Sequence, residues 1–164
     1  MKVHRLVLDP NTNSPIVILQ DEATGVMLPI WIGIFEAHAI AMKMEGIESP
    51  RPMTHDLLTN TIQVINGLVE RVEVVDLVDN TYFAKVYFQV QDKRFSLDSR
   101  PSDAIALALR ATSPIFVADH VLEKSKIDPV DESATDAEGR PVSEEERWKE
   151  ILKNFEPPDP EKIN

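Results

Sequence analysis

The chain contains no cysteine among its 164 residues, which excludes disulfides, thiolate zinc sites and cysteine nucleophiles together. Any metal must then rest on Asp, Glu and the four histidines, a donor set that suits magnesium or manganese. Glycine is scarce, at 5 residues, and no glycine-rich phosphate loop occurs, so nucleotide-cofactor folds are disfavoured. Also missing are a Gly-x-Ser-x-Gly elbow, a His-Glu-x-x-His pair and zinc-finger spacing. There is no run of about 18 apolar residues that would cross a bilayer. No basic-then-apolar start resembles a signal peptide. The expectation is a soluble, cytoplasmic protein with no membrane partner. Excess positive charge is lacking too: the net charge of −11 argues against a nucleic-acid substrate. Its distribution weakens that argument. Residues 128–164 hold 12 acidic and 5 basic side chains, so most of the excess sits in the tail and the body is nearly balanced.

What is present centres on Phe95 to Arg110. Phe95 and Leu97 alternate with Arg94, Ser96 and Asp98, the period-two pattern of a strand with one buried face that stops at Asp98. Pro101 has no amide proton to leave unpaired, and Asp103 places negative charge near a positive helix end, so a helix starts near Pro101. Ala104, Ile105, Ala108 and Leu109 then form one apolar stripe, with alanines small enough for close packing on a sheet. Asp98, Arg100, Ser102 and Asp103 are left at the strand-to-helix corner. The corner reads either as a capping and ion-pair cluster or as the edge of an active site.

In chain order, residues 2–9 predict a strand and residues 16–32 a hairpin, with Pro29 confined to a sheet edge or bulge because it has no ladder donor. Gly33 breaks that strand, and Ala37, Ile40, Ala41 and Met44 give a helix over 35–45 that Gly46 ends. Pro50-Arg51-Pro52 predicts a stiff linker, and Thr54 an N-cap for a helix carrying Leu58, Ile62 and Ile65. Residues 69–91 predict a long hairpin turning at Asp79-Asn80, followed by the strand and helix of the central stretch. After Pro114 come a short strand at 115–118 and a short helix over 120–124.

An offset of 65 sets Ala39-Ile40-Ala41 against Ala104-Ile105-Ala106, each preceded by a strand pair and a polar corner. This points to a degenerate duplication of a hairpin-helix unit, with coincidence among alanine-rich helices as the alternative. If the repeat is real, Glu36 and His38 lie at the first copy's equivalent of the Arg100 to Asp103 corner, and the two corners are placed to share one cleft. The tail reads as an acidic linker over 131–141. After it, Ser143 opens a short helix with Trp148, Ile151, Leu152 and Phe155 on one face.

The segments Leu28-Pro-Ile-Trp-Ile-Gly33, Glu36-Ala-His-Ala-Ile-Ala41, Pro50-Arg-Pro-Met-Thr-His-Asp-Leu-Leu58 and Asp98-Ser-Arg-Pro-Ser-Asp-Ala-Ile-Ala-Leu-Ala108 stand in one order and register. They resemble the bifunctional nuclease (BFN) domain family over roughly residues 1–127, leaving 128–164 as the acidic linker and C-terminal helix. The resemblance implies a compact α+β domain, mostly antiparallel sheet with packed helices. It also implies a homodimer and nuclease activity on DNA and RNA. Where the motif blocks and the physical arguments coincide, Glu36, His55, Asp56, Asp98 and Asp103 are candidates for metal binding or general-base work. Arg51 and Arg100 are candidates for phosphate contact. A divalent ion, magnesium or manganese, is the expected cofactor. Arg110 joins the two other arginines as an expected source of positive potential. The competing expectation is a non-catalytic module that binds a small anion or a partner protein.

Overall fold

The computed structural model describes residues 1–9 and 12–125, and the acidic linker and C-terminal helix expected beyond 127 lie outside them. Two antiparallel meanders, each running into an alanine-rich helix, form most of the body. The first is β1 (Lys2–Leu8), β2 (Pro15–Gln20) and β3 (Met27–Trp31), followed by α1 (Ile34–Met44). The second follows α2 (Thr54–Val64) and consists of β4 (Gly67–Val78), β5 (Thr81–Val90) and β6 (Lys93–Ser99), leading into α3 (Pro101–Ala111). β7 (Ile115–Val117) and α4 (Asp119–Ser125) complete the described chain. The fold is α+β. Both halves repeat one order of elements, as a duplication would, without establishing one.

In the first sheet, of order β1-β2-β3, the central strand is buried from Pro15 to Leu19, which is why its sequence is a continuous apolar run. Pro29 pairs with Ile18 from the edge strand β3, where a missing donor faces no further strand. The second sheet has the order β6-β5-β4-β7, and only the β4–β7 pairing is parallel. β4 has 12 residues against 10 in β5, and bulges at Val69/Arg71 and Val74/Asp76 absorb the difference. Asp79 and Asn80 both take positive φ, 47° and 59°, the geometry of a two-residue hairpin turn compatible with strand twist.

α3 packs against β4, β5, α1 and α2, and α1 reaches from α3 to β2. The core therefore runs from Val17, Leu28 and Ile30 through Ile40 to Ile105, Val72 and Val86. Because α3 lies at its centre, the corner at its start is fixed from several sides.

Two local expectations change. Thr54 is the first residue of α2 and not its cap: the cap is Met53, whose backbone N–H donates to Asp56 Oδ2 at 2.9 Å. The acidic side chain at N3 thus serves the N–H of the N-cap residue, the bond that the acid of a capping box makes, and not the N3 N–H that a capping threonine would have taken. Phe95 and Leu97 do lie on the core side of their sheet, opposite Phe88 and Val86, but they remain 44% and 53% exposed. β6 is the sheet's edge among the described residues, and Phe95 stacks on Phe88, with ring centroids 5.4 Å apart.

Ile105 is fully buried at the junction of helices and sheet. Ile105→Ala should lower stability by about 2–5 kcal/mol through lost burial and a residual cavity, read as a reduced urea midpoint at unchanged m-value.

Candidate functional site

The two strand-to-helix corners meet. Gly33 ends the β3 side in an extended conformation, φ −73°, and Glu36 lies in the first turn of α1. A methyl group on Gly33 would meet the end of the Glu36 side chain, so any other residue there requires that carboxylate to move. On the β6 side Arg100 is the extended N-cap of α3, and Pro101 takes the first helical position. From that cap the guanidinium joins the corners: Nη2 donates to Glu36 Oε1 at 2.6 Å and Nε to Asp103 Oδ2 at 2.8 Å.

The other Asp103 oxygen, Oδ1, lies 3.0 Å from His55 Nε2, in the first turn of α2. With Nε2 protonated, imidazole donates to this carboxylate and Nδ1 is left as the proton acceptor. Glu36, Arg100, Asp103 and His55 thus form one hydrogen-bonded chain contributed by three helices. The imidazole bond, together with the Arg100 bond and charge, outweighs the effect of burial and holds the Asp103 carboxyl well below the usual 3.8, at about 2. In return Asp103, followed by Glu36, pushes the Arg100 guanidinium up.

Asp56 neighbours His55 in sequence but has a different partner, since adjacent residues project from different sides of a helix. Its Oδ1 accepts from Arg110 Nε near the far end of α3. The Arg110 side chain, only 6% exposed, also donates through Nη1 to Ala106 O at 3.0 Å and through Nη2 to Ala39 O at 3.2 Å. Burial pushes the Asp56 carboxyl up, but the Met53 N–H bond and the Arg110 guanidinium outweigh it and leave the group lowered. Arg110 is therefore committed to binding the helices together and does not supply the free positive potential expected of it.

The remaining candidates stand apart. Asp98 is exposed on β6 opposite Lys85 in the register, with no hydrogen bond or ion pair among the described residues. Arg51 is exposed in the linker before α2 and likewise unpaired among them. Among the described residues no three His, Asp or Glu side chains form a set that could hold a metal ion. Glu36, Asp103 and His55 are bonded to Arg100 or to each other, so as arranged they do not fit a divalent cation.

Fold and cluster together define an α+β domain in which an arginine-bridged carboxylate network locks two strand-to-helix corners. A family model described as the bifunctional nuclease domain matches residues 17–129, and the chain belongs to that family. An uncharacterised protein of Mycobacterium tuberculosis (strain H37Rv) is 39% identical over 150 residues, covering 90% of this chain and 88% of that protein. Bifunctional nuclease 2 of Arabidopsis thaliana is 32% identical over 108 residues, 64% of this chain and 33% of its own length. Bifunctional nuclease 1 of Oryza sativa subsp. japonica is 25% identical over 112 residues, 66% of this chain and 34% of its own. The match thus spans about a third of each plant protein.

A carboxyl held low by its partners stabilises the fold fully above its ordinary range and loses that contribution as the pH falls through its folded value. The stability difference between wild type and Asp103→Asn should therefore be largest above pH ~4 and shrink toward pH ~2, measured as urea midpoints across that window. A difference that stays constant there would mean that Asp103 titrates as an ordinary carboxylate.

Proposed function

We propose that the protein is a nuclease that hydrolyses phosphodiester bonds in DNA and RNA with low sequence preference. The observation that carries this reading is the convergence of three separated motif blocks on one chain of carboxylate, guanidinium, carboxylate and imidazole. Its chemistry suits water attack on phosphorus. Asp103 fixes the His55 tautomer, and His55 Nδ1 takes the proton from the attacking water. A P–O ester bond breaks, and the leaving oxygen takes up a proton. Arg100 offsets the charge that builds on the phosphoryl oxygens. The names of the plant relatives support the same class of substrate.

Assistance by magnesium or manganese is a separate part of the proposal. It rests on the oxygen donors of Glu36 and Asp103, which would first have to leave Arg100, and no step above is routed through an ion. A cytoplasmic location belongs to the same reading. So does a homodimer, supported by the edge strand β6, whose unspent backbone groups and exposed Phe95 and Leu97 suit pairing with a second copy.

A second reading is favoured by the mutual satisfaction of the charges: a network in which Glu36, Arg100 and Asp103 neutralise one another also describes an architectural lock on a binding module. Cleavage of fluorescent single-stranded DNA and RNA, with magnesium, manganese or chelator, separates the two. His55→Ala should slow cleavage by about 10²–10⁴-fold, the range expected for loss of a general base, in a protein that stays folded although its urea midpoint falls with loss of the bond to Asp103. Folded His55→Ala protein that cuts at the wild-type rate would remove the proposed dyad. No cleavage by pure wild type under any metal condition would favour the binding module.

Leu97→Glu should convert the dimer to monomer in sedimentation velocity, because the new charge would be buried in the interface. A dimer that survives this change must be built on another face.

A further inference from the structure

A small cleft of about 80 Å³ lies beside the arginine bridge, bounded by the end of β3 at Trp31 to Gly33, the β4–β5 turn at Asn80 and Thr81, and the start of α3 at Arg100 to Ser102. Three features at the α3 end are donors without a protein acceptor among the described residues. Ser102 lines the cleft and is only 6% exposed, yet its hydroxyl has no hydrogen-bond partner among the described residues. Arg100 spends Nε and Nη2 on Asp103 and Glu36, and Nη1 is left over. Finally, α3 has no side-chain cap, and its first intrahelical bond runs from Ala104 N to Arg100 O, so the backbone N–H groups of Ser102 and Asp103 remain orphaned at the positive end of the helix.

We infer that this cleft seats a phosphate group, bound by Arg100 Nη1, the Ser102 hydroxyl and the orphan N–H groups of the α3 start. A tetrahedral oxyanion can accept from these donors, whereas the Arg100 charge and the positive end of α3 disfavour a cation there. Glu36 and Asp103 do not oppose it from the same side of the guanidinium, since they hold its Nε and Nη2 edges. For the nuclease proposed above, on which this identification rests, the ligand is a phosphate of the nucleic acid. Ser102 then becomes a binding residue of the substrate, a role distinct from proton transfer at His55.

The test is an NMR titration of the full chain with inorganic phosphate, following the amide signals of Ser102 and Asp103 against chloride at equal ionic strength. Saturable shifts at these amides are expected, with affinity reduced about tenfold or more in Ser102→Ala, the loss typical of one hydrogen bond to a charged group. The alanine retains the helix, so a negative result cannot be put down to misfolding. Shifts absent from these amides, or unchanged in affinity in Ser102→Ala, would overturn the inference. A trinucleotide should displace inorganic phosphate from these amides whereas the matching free nucleosides should not, and failure of the trinucleotide to compete would overturn the assignment to nucleic-acid phosphate. Saturable, Ser102-dependent shifts in a protein that cuts nothing would keep the phosphate site and remove the nuclease reading. Cleavage without such shifts would do the reverse.

Discussion

Everything at the corner depends on where α3 sits, and α3 is held by a buried guanidinium. Arg110 bonds to a carboxylate on α2, a carbonyl on α1 and a carbonyl of its own helix, so one side chain fixes three helices in relation to each other. A cation this deeply buried is tolerable only with its charge paired and its donors spent. Removing one partner from a fully buried pair costs about 3–5 kcal/mol, and Asp56, about a third exposed, moderates that cost here. The bond is thus chiefly a constraint on geometry. It holds the first turn of α2 beside α3, and that placement brings His55 to Asp103.

The division of labour between the two arginines of α3 follows from their depth. Arg110 is surrounded and has no amino group left for a ligand. Arg100, at the N-cap, is half exposed and keeps Nη1 unspent after bonding two carboxylates. Sequence places them ten residues apart on one helix, but the same residue type fastens the fold at one end and faces a cleft at the other.

Much of this was legible before any coordinates. Strand and helix boundaries, the long hairpin turning at Asp79-Asn80 and the polar corner at Arg100 to Asp103 all follow from local rules of period, turn chemistry and capping. The internal offset set Glu36 at the first copy's equivalent of the Arg100 to Asp103 corner, and the Glu36–Arg100 bond joins the two corners without establishing the duplication. Other features depended on distant partners. The apolar alternation of Phe95 and Leu97 correctly gives their side of the sheet, but period two says nothing about whether a helix covers that side, and at the edge none does. Arg110 gives no local sign that it will be enclosed, because Ala39 and Asp56 come to it only through tertiary packing. Thr54 was one position from the real cap because an acid three residues beyond Met53 does the capping. Asp98 belongs to the same motif block as Arg100, yet strand alternation turns it to solvent.

The remaining question is whether the corner is architecture or chemistry, and hydrogen-bond accounting bears on it. A network that served only to lock two corners would spend its donors on its own carboxylates and would gain from apolar residues in the buried positions around it. Glu36, Arg100 and Asp103 partly fit that description. Ser102 does not. At a buried position in the first turn of a helix, alanine would offer higher helix propensity and no hydroxyl to satisfy. The serine instead holds an unpartnered hydroxyl at the lip of a cleft, beside two orphan N–H groups and a free guanidinium amino group. Such a concentration of donors opening on one cleft favours an anion there. Folding energetics explain the ion pairs, and the unspent donors next to them are the observation on which the proposed anion site rests.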